Sequence, residues 1–163
     1  MAVLLPGGCV MPEDGPEPAR TSLPRVVTVE PVRPVEGTWS FSFANGVCTA
    51  SVSHPSAGVT ISAGPTSVLR VVARLAPMPG RGAASSVAFS GPGGAWTSRL
   101  RRQGGTASSS SPLNAAAEGR LRALLAGGTL RLTTGNTPLA VLTVPDSGVA
   151  GRDWFGCVSQ LGV

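Results

Sequence analysis

An Asn45-Gly46 dipeptide constrains the fold of this chain more than any other feature of its sequence. It stands between two stretches of alternating side chains, and it tolerates the two positive φ angles of a type I′ turn. With this dipeptide as the turn, residues 38–53 predict a β-hairpin in which Phe43 lies opposite Cys48. One face of that hairpin is then apolar, and the other carries small hydroxyl side chains. The apolar face contains Trp39, Phe41, Phe43, Cys48, Ala50 and Val52.

Glycine, proline and the spacing of apolar residues predict a mainly β fold for the rest of the chain. The 163 residues include 22 glycines and 15 prolines, which divide the chain into many short segments. Several segments alternate apolar and polar side chains, as half-buried strands do. We therefore expect an antiparallel β-sandwich or a curled sheet, with residues 103–111 as either a loop or a polar edge strand. Further strands are predicted at residues 58–63, 67–75, 85–90, 95–102, 129–133 and 138–144.

One helix is predicted to cover the sheet over about residues 112–126. Ser111 is the expected N-cap, and Pro112 suits the first helical position because its missing N–H costs nothing there. Apolar residues recur at helical spacing until Gly127-Gly128, which is expected to end the helix. Gly119 inside the helix predicts close packing against the sheet.

The N-terminal region, residues 1–36, reads as a proline-rich tail or tether that precedes a single β-rich domain at residues 37–163. A short apolar stretch, two glycines and then Cys9 resemble the end of a bacterial lipoprotein signal peptide. This resemblance implies lipid attachment at Cys9. Within the tail, residues 25–29 predict one edge strand.

The three cysteines are Cys9, Cys48 and Cys157. Cys48 lies on the apolar face of the first hairpin, and Cys157 on the apolar face of a short C-terminal helix predicted at residues 149–161. The two are interpreted either as a disulfide that closes a loop of about 100 residues or as two buried, reduced thiols. The lipoprotein-like start favours the disulfide, because it argues for an oxidising compartment. Cys9 is then the unpaired cysteine that a lipid would modify.

A tryptophan in an early strand, a cysteine soon after it and a closing segment that ends in cysteine form a recognisable pattern. Here these are Trp39, Cys48 and residues 146–158 with Cys157. The pattern, which spans residues 38–163, resembles small periplasmic proteins of alphaproteobacteria of the invasion-associated locus B type. The resemblance implies a secreted or periplasmic β-sandwich, and it implies no catalytic residues for this chain.

The basic charge of the chain comes from arginine alone. The net charge is +5, and all thirteen basic residues are arginines that spread along the sequence. That pattern is typical of codon bias in a GC-rich genome, so nucleic-acid binding is not favoured. A small patch of Trp96, Arg99, Arg101 and Arg102 is a candidate site for an anionic glycan, a lipid head group or RNA. The alternative is a solvated edge strand that charge protects from aggregation.

The sequence contains little that indicates catalysis. His54 is the single histidine, and its place before Pro55 favours a surface turn. No nucleophile elbow and no metal-ligand spacing accompany it, and no cofactor is expected. Asp146 suits a turn, and Asp153 suits the first turn of the C-terminal helix.

These observations favour a non-enzymatic protein of the cell envelope with a binding or structural role. Its expected location is the periplasm, or a membrane to which a lipid anchors it facing the periplasm. One alternative is an accessory subunit of a membrane-associated assembly that docks through the N-terminal tail. The other is a small hydrolase, for which the sequence offers no set of acid and base residues.

Overall fold

The computed structural model describes residues 31–66, 68–74, 85–103 and 105–161. The predicted lipid attachment at Cys9 and the predicted edge strand at residues 25–29 lie outside the described residues. Most of the predicted tail lies outside them as well. Its last residues, Pro34–Glu36, form a strand of the sheet.

Ten strands and two helices make up the described part of the chain. The strands are β1 (Pro34–Glu36), β2 (Thr38–Ala44), β3 (Val47–His54), β4 (Ala57–Ala63), β5 (Val68–Arg74), β6 (Ser85–Gly91), β7 (Gly94–Gln103), β8 (Thr106–Pro112), β9 (Gly128–Thr134) and β10 (Thr137–Val144). The helices are α1 (Ala115–Leu125), between β8 and β9, and α2 (Gly148–Leu161), after β10.

All ten strands belong to one curled sheet with the order β1-β10-β9-β6-β7-β8-β5-β4-β3-β2. Neighbouring strands are antiparallel, except that β1 runs parallel to β10. The first and last strands of this order are β1 and β2, which only Gly37 separates along the chain. Because consecutive residues join its two edges, the sheet is nearly closed and barrel-like. The predicted mainly β fold is confirmed, and of the two expected architectures the structure has the curled sheet.

The first hairpin has the predicted register. Phe43 pairs with Cys48, and Trp39 pairs with Val52. Asn45 and Gly46 have φ angles of 52° and 73°, as the predicted turn requires. The apolar face is buried at Cys48, Ala50 and Val52, whereas Phe43 at the hairpin tip is 68% exposed. The predicted apolar floor therefore ends before the tip.

The core fills the concave side of the sheet, and both helices pack against that side. Helix α1 buries Leu121 and Leu124 there, and α2 buries Trp154 and Val158. The ring of Trp154 lies 6.2 Å from that of Phe41 on β2. The helices also contact each other, since the guanidinium of Arg122 lies 4.7 Å from the centre of the Phe155 ring.

The position of α1 is confirmed, but its predicted start is wrong. Asn114 is the N-cap, and its side chain accepts a hydrogen bond of 3.0 Å from the backbone N–H of Ala117. Ser111 and Pro112 belong to β8 instead, because they pair with Leu69 and Val68 of β5. The expected packing of Gly119 against the sheet is also wrong, since Gly119 is exposed and a Cβ there would meet no atom within 4 Å.

Of the two aspartates near the C-terminus, Asp146 has its predicted role in a turn, and Asp153 does not have its predicted role at the start of α2. The Asp146 carboxylate accepts a hydrogen bond of 2.7 Å from the N–H of Gly148, which is the expected turn. Asp153 is not in the first turn of α2, which contains no acidic residue. The helix begins one residue earlier than predicted, at Gly148.

Candidate functional site

A polar groove of about 620 Å³ crosses the sheet at β7 and β8. Guanidinium, amide and hydroxyl groups line it, all of which donate hydrogen bonds to anions. The lining residues are Arg99, Arg101, Arg102, Gln103, Ser108, Ser109 and Ser110. Three of the four residues of the predicted anionic-ligand patch are therefore in one place.

The groove lies beside a short ladder between two strands. Strands β7 and β8 pair at three positions, from Arg101 opposite Ser108 to Gln103 opposite Thr106. Beyond that ladder, the hydroxyl oxygens of Ser98 and Ser109 lie 3.2 Å apart. Strands β7 and β8 thus pair over fewer residues than either of them does with its other neighbour, which leaves room for a groove.

Trp96, the fourth residue of the predicted patch, does not line the groove. It pairs with Phe89 of β6 on the concave side of the sheet, where the two rings stack 5.7 Å apart. Side chains alternate between the faces of a strand, so Trp96 and Arg99 point to opposite sides. Of the predicted patch, Arg99, Arg101 and Arg102 therefore line the groove, and the aromatic ring of Trp96 does not.

The charge of β7 does not protect a sheet edge. Strand β7 lies between β6 and β8, and β8 lies between β7 and β5. Residues 103–111, expected to form a loop or an edge strand, therefore belong mostly to an interior strand. Charge on an edge strand prevents association with other sheets, but this reason does not apply to Arg99 and Arg101.

Two arginines of β5 lie close to the groove, although they are not part of the predicted patch. Arg70 pairs with Ser110 and Arg74 pairs with Thr106, so both lie beside β8 on the outer side of the sheet. Buried and exposed residues alternate along β5, and both arginines are on the side opposite the core. Their proximity to Arg101 depends on β8 lying between β5 and β7, and no local pattern encodes that order.

Charge is segregated within the described part of the molecule. The strands contain six arginines, Arg70, Arg74, Arg99, Arg101, Arg102 and Arg131, and a single acid, Glu36 of β1. The other described acids are Glu118 of α1, Asp146 before α2, and Asp153 of α2. Of these, Glu118 forms an ion pair of 3.6 Å with Arg122 on its own helix. The acids therefore lie on elements other than the strands that form the groove.

A disulfide joins Cys48 of β3 to Cys157 of α2, with the two Cα atoms 6.2 Å apart. Of the two interpretations of these cysteines, the structure has the disulfide. Smaller grooves of about 560 and 350 Å³ flank α2 near this bond, and both include Phe43.

The single histidine, His54, is the last residue of β3 and stands directly before the turn to β4. His54 Nδ1 lies 2.8 Å from the hydroxyl of Ser56 and accepts a hydrogen bond from the Ser56 N–H. No group of three or more potential metal ligands occurs among the residues that the structure describes. Neither described helix has the length and apolar character needed to cross a membrane.

Comparisons of the chain with protein families, with curated proteins and with solved structures found no match.

Proposed function

We propose that this chain is a non-enzymatic module of the cell envelope, located in the periplasm or anchored by lipid to a membrane that faces it. The observation that carries the proposal is the disulfide between Cys48 and Cys157, which are 109 positions apart in the sequence. Disulfides of this structural kind persist in oxidising compartments, whereas cytosolic thiols are kept reduced. The resemblance of Trp39, Cys48 and the closing segment to the locus B type supports the same location.

The chemistry of the groove supports binding as the role of the module. Arginine remains protonated at any ordinary pH, so it holds an anion but does not act as a general base. Gln103 and the serines of β8 add neutral hydrogen-bond donors to the same lining. Histidine is the usual residue for proton transfer, but His54 ends β3 and does not line the groove.

The intact mass of the protein purified from its native host tests the proposed location. The sample is alkylated once without and once with prior reduction. We expect Cys48 and Cys157 to be alkylated only after reduction. An acyl mass on Cys9 would add the lipid anchor to the proposal. Alkylation of both cysteines without reduction would remove the argument for an oxidising compartment and overturn the proposal.

A further inference from the structure

We propose that Arg70, Arg74, Arg99 and Arg101, called here the arginine face, dock the protein onto an anionic phospholipid surface. This inference rests on the proposed function, because an envelope module works beside such a surface. It adds to that function a partner and the residues that contact it.

The arginine face is a two-dimensional patch on three neighbouring strands. Arg70 and Arg74 lie on β5, Arg99 and Arg101 lie on β7, and β8 lies between them. Strands are spaced by about 4.8 Å, so the two rows lie about 10 Å apart at Arg101. Along the strands, Arg99 and Arg101 are separated by about 7 Å, and Arg70 and Arg74 by about 13 Å. Between the rows stand the small side chains of Thr106, Ser108 and Ser110, and Val72 lies between Arg70 and Arg74 on the same side of β5.

The charges of the arginine face are not neutralised within the described part of the molecule. All four side chains are exposed. None of them forms an ion pair with a described residue, since the ion pair found there joins Arg122 to Glu118. Four positive charges on one side, with the described acids on other elements, orient the molecule toward an extended negative surface.

Two features favour a membrane over a nucleic acid as the partner. A single strand of nucleic acid is bound by a basic track together with aromatic rings on which its bases stack. Trp96, the nearest aromatic residue of β7, packs against Phe89 on the concave side. The four charges also form a patch that is about as wide as it is long, which matches a plane of head groups better than a linear chain.

Cosedimentation with lipid vesicles tests the inference on the full chain without any lipid attached. One set of vesicles contains phosphatidylcholine alone, and the other contains phosphatidylglycerol and phosphatidylcholine in a ratio of one to three. We expect binding to the second set only, and weaker binding as salt is added, because salt screens exposed charges. Equal binding to both sets, or to neither, would overturn the inference.

Two double variants distinguish docking through the arginine face from attraction by the net charge of the protein. Arg99→Gln with Arg101→Gln removes two charges from the face, and Arg33→Gln with Arg120→Gln removes two exposed charges elsewhere. One arginine near an anionic membrane contributes about a fivefold factor to binding, so the first pair is expected to weaken binding by about thirtyfold. The second pair is expected to change it by about twofold or less. Equal losses for both pairs would show that net charge alone attracts the protein, and would contradict docking through this face.

Two further measurements complete the test. Arg99→Lys with Arg101→Lys keeps both charges and is expected to bind vesicles nearly as well as the original chain. Binding to a single-stranded oligonucleotide but not to phosphatidylglycerol would assign the face to nucleic acid and overturn the inference. A disulfide-bonded protein that ignores anionic vesicles would reject the lipid partner while leaving the envelope location in place, so the two proposals fail separately.

Discussion

Gly37 is the residue at which one extended segment changes partners. Its N–H donates a hydrogen bond of 2.9 Å to the carbonyl of Thr143 on β10, and the next residue, Thr38, pairs with Ser53 of β3. A Cβ at Gly37 would lie 2.6 Å from a methyl carbon of Val52, which is 1% exposed. The sheet closes here because no side chain stands between β1, β10 and β3.

We expect Gly37→Ala to lower the free energy of unfolding by about 1–3 kcal/mol, the usual cost of an added group in a packed core. Val52 is branched at Cβ and buried, so it has little freedom to move aside. Urea unfolding measures the change. Gly105→Ala is the control, because a Cβ there meets no atom within 4 Å. A Gly37→Ala protein as stable as the control would show that the closure has room for a side chain.

Substitution of Gly119 by alanine is expected to raise the free energy of unfolding, whereas Gly37→Ala lowers it. It lies on the exposed side of α1, and a Cβ there would meet no atom within 4 Å. Glycine in a helix interior is less favourable than alanine by about 1 kcal/mol. Gly119→Ala is therefore expected to raise the free energy of unfolding by up to about 1 kcal/mol, again measured in urea. A loss of stability would indicate a contact of Gly119 that the described residues do not include.

At the scale of single elements, the start of α1 shows how a helix boundary is decided. The Asn114 side chain accepts a hydrogen bond from Ala117, whereas Ser111 lies in β8 opposite Leu69. We expect Asn114→Ala to lower the free energy of unfolding by about 1 kcal/mol, because a helical N–H loses its partner. Ser111→Ala is the matched control and should leave stability nearly unchanged. Thermal unfolding of both variants decides between the two N-caps, and a larger loss for Ser111→Ala would contradict the assignment.

Local signals explain which elements could be predicted from the sequence. The register of the first hairpin depends on Asn45-Gly46 and on alternation over a few residues, all of which the sequence displays. The start of α1 could not be predicted in the same way. Ser111-Pro112 is a good local start for a helix, but backbone pairing of β8 with β5 keeps both residues in a strand. Tertiary pairing therefore overrides a local preference at this boundary.

At the scale of the whole molecule, the order of the strands in the sheet could not be predicted from the sequence. Alternation along β5 leaves Arg70 and Arg74 on its outer side, and Arg99 lies on a strand as predicted. Their proximity requires β8 to lie between β5 and β7, although β6 and β7 come between β5 and β8 in the chain. Trp96 has a different reason, since it is three residues from Arg99 and alternation along β7 alone puts the two side chains on opposite faces. The candidate site could therefore be predicted in part, and its full extent required the fold.

The disulfide joins β3 to α2, the last element of the described fold, and its removal tests how much the whole molecule depends on it. Cys48 on β3 is fully buried, and Cys157 on α2 is half-buried. A bond between residues 109 positions apart limits the unfolded chain strongly, and the chain-entropy relation assigns about 4–5 kcal/mol to such a loop. We expect Cys157→Ala to lower the free energy of unfolding by about that amount, within the range of about 2–5 kcal/mol typical of native disulfides.

Urea unfolding with and without a reductant measures this loss and controls for the altered side chain. Reductant is expected to move the unfolding midpoint of the original chain toward that of Cys157→Ala, and to leave the midpoint of the variant where it was. Cys157→Ala leaves the buried residues Trp154 and Val158 of α2 unchanged. The stability that remains in this variant therefore measures how well side-chain packing holds α2 without the covalent bond. If reductant left the midpoint of the original chain unchanged, the bond would contribute nothing to stability. Packing of α2 against β2 and β3 alone would then hold the terminal helix on the sheet.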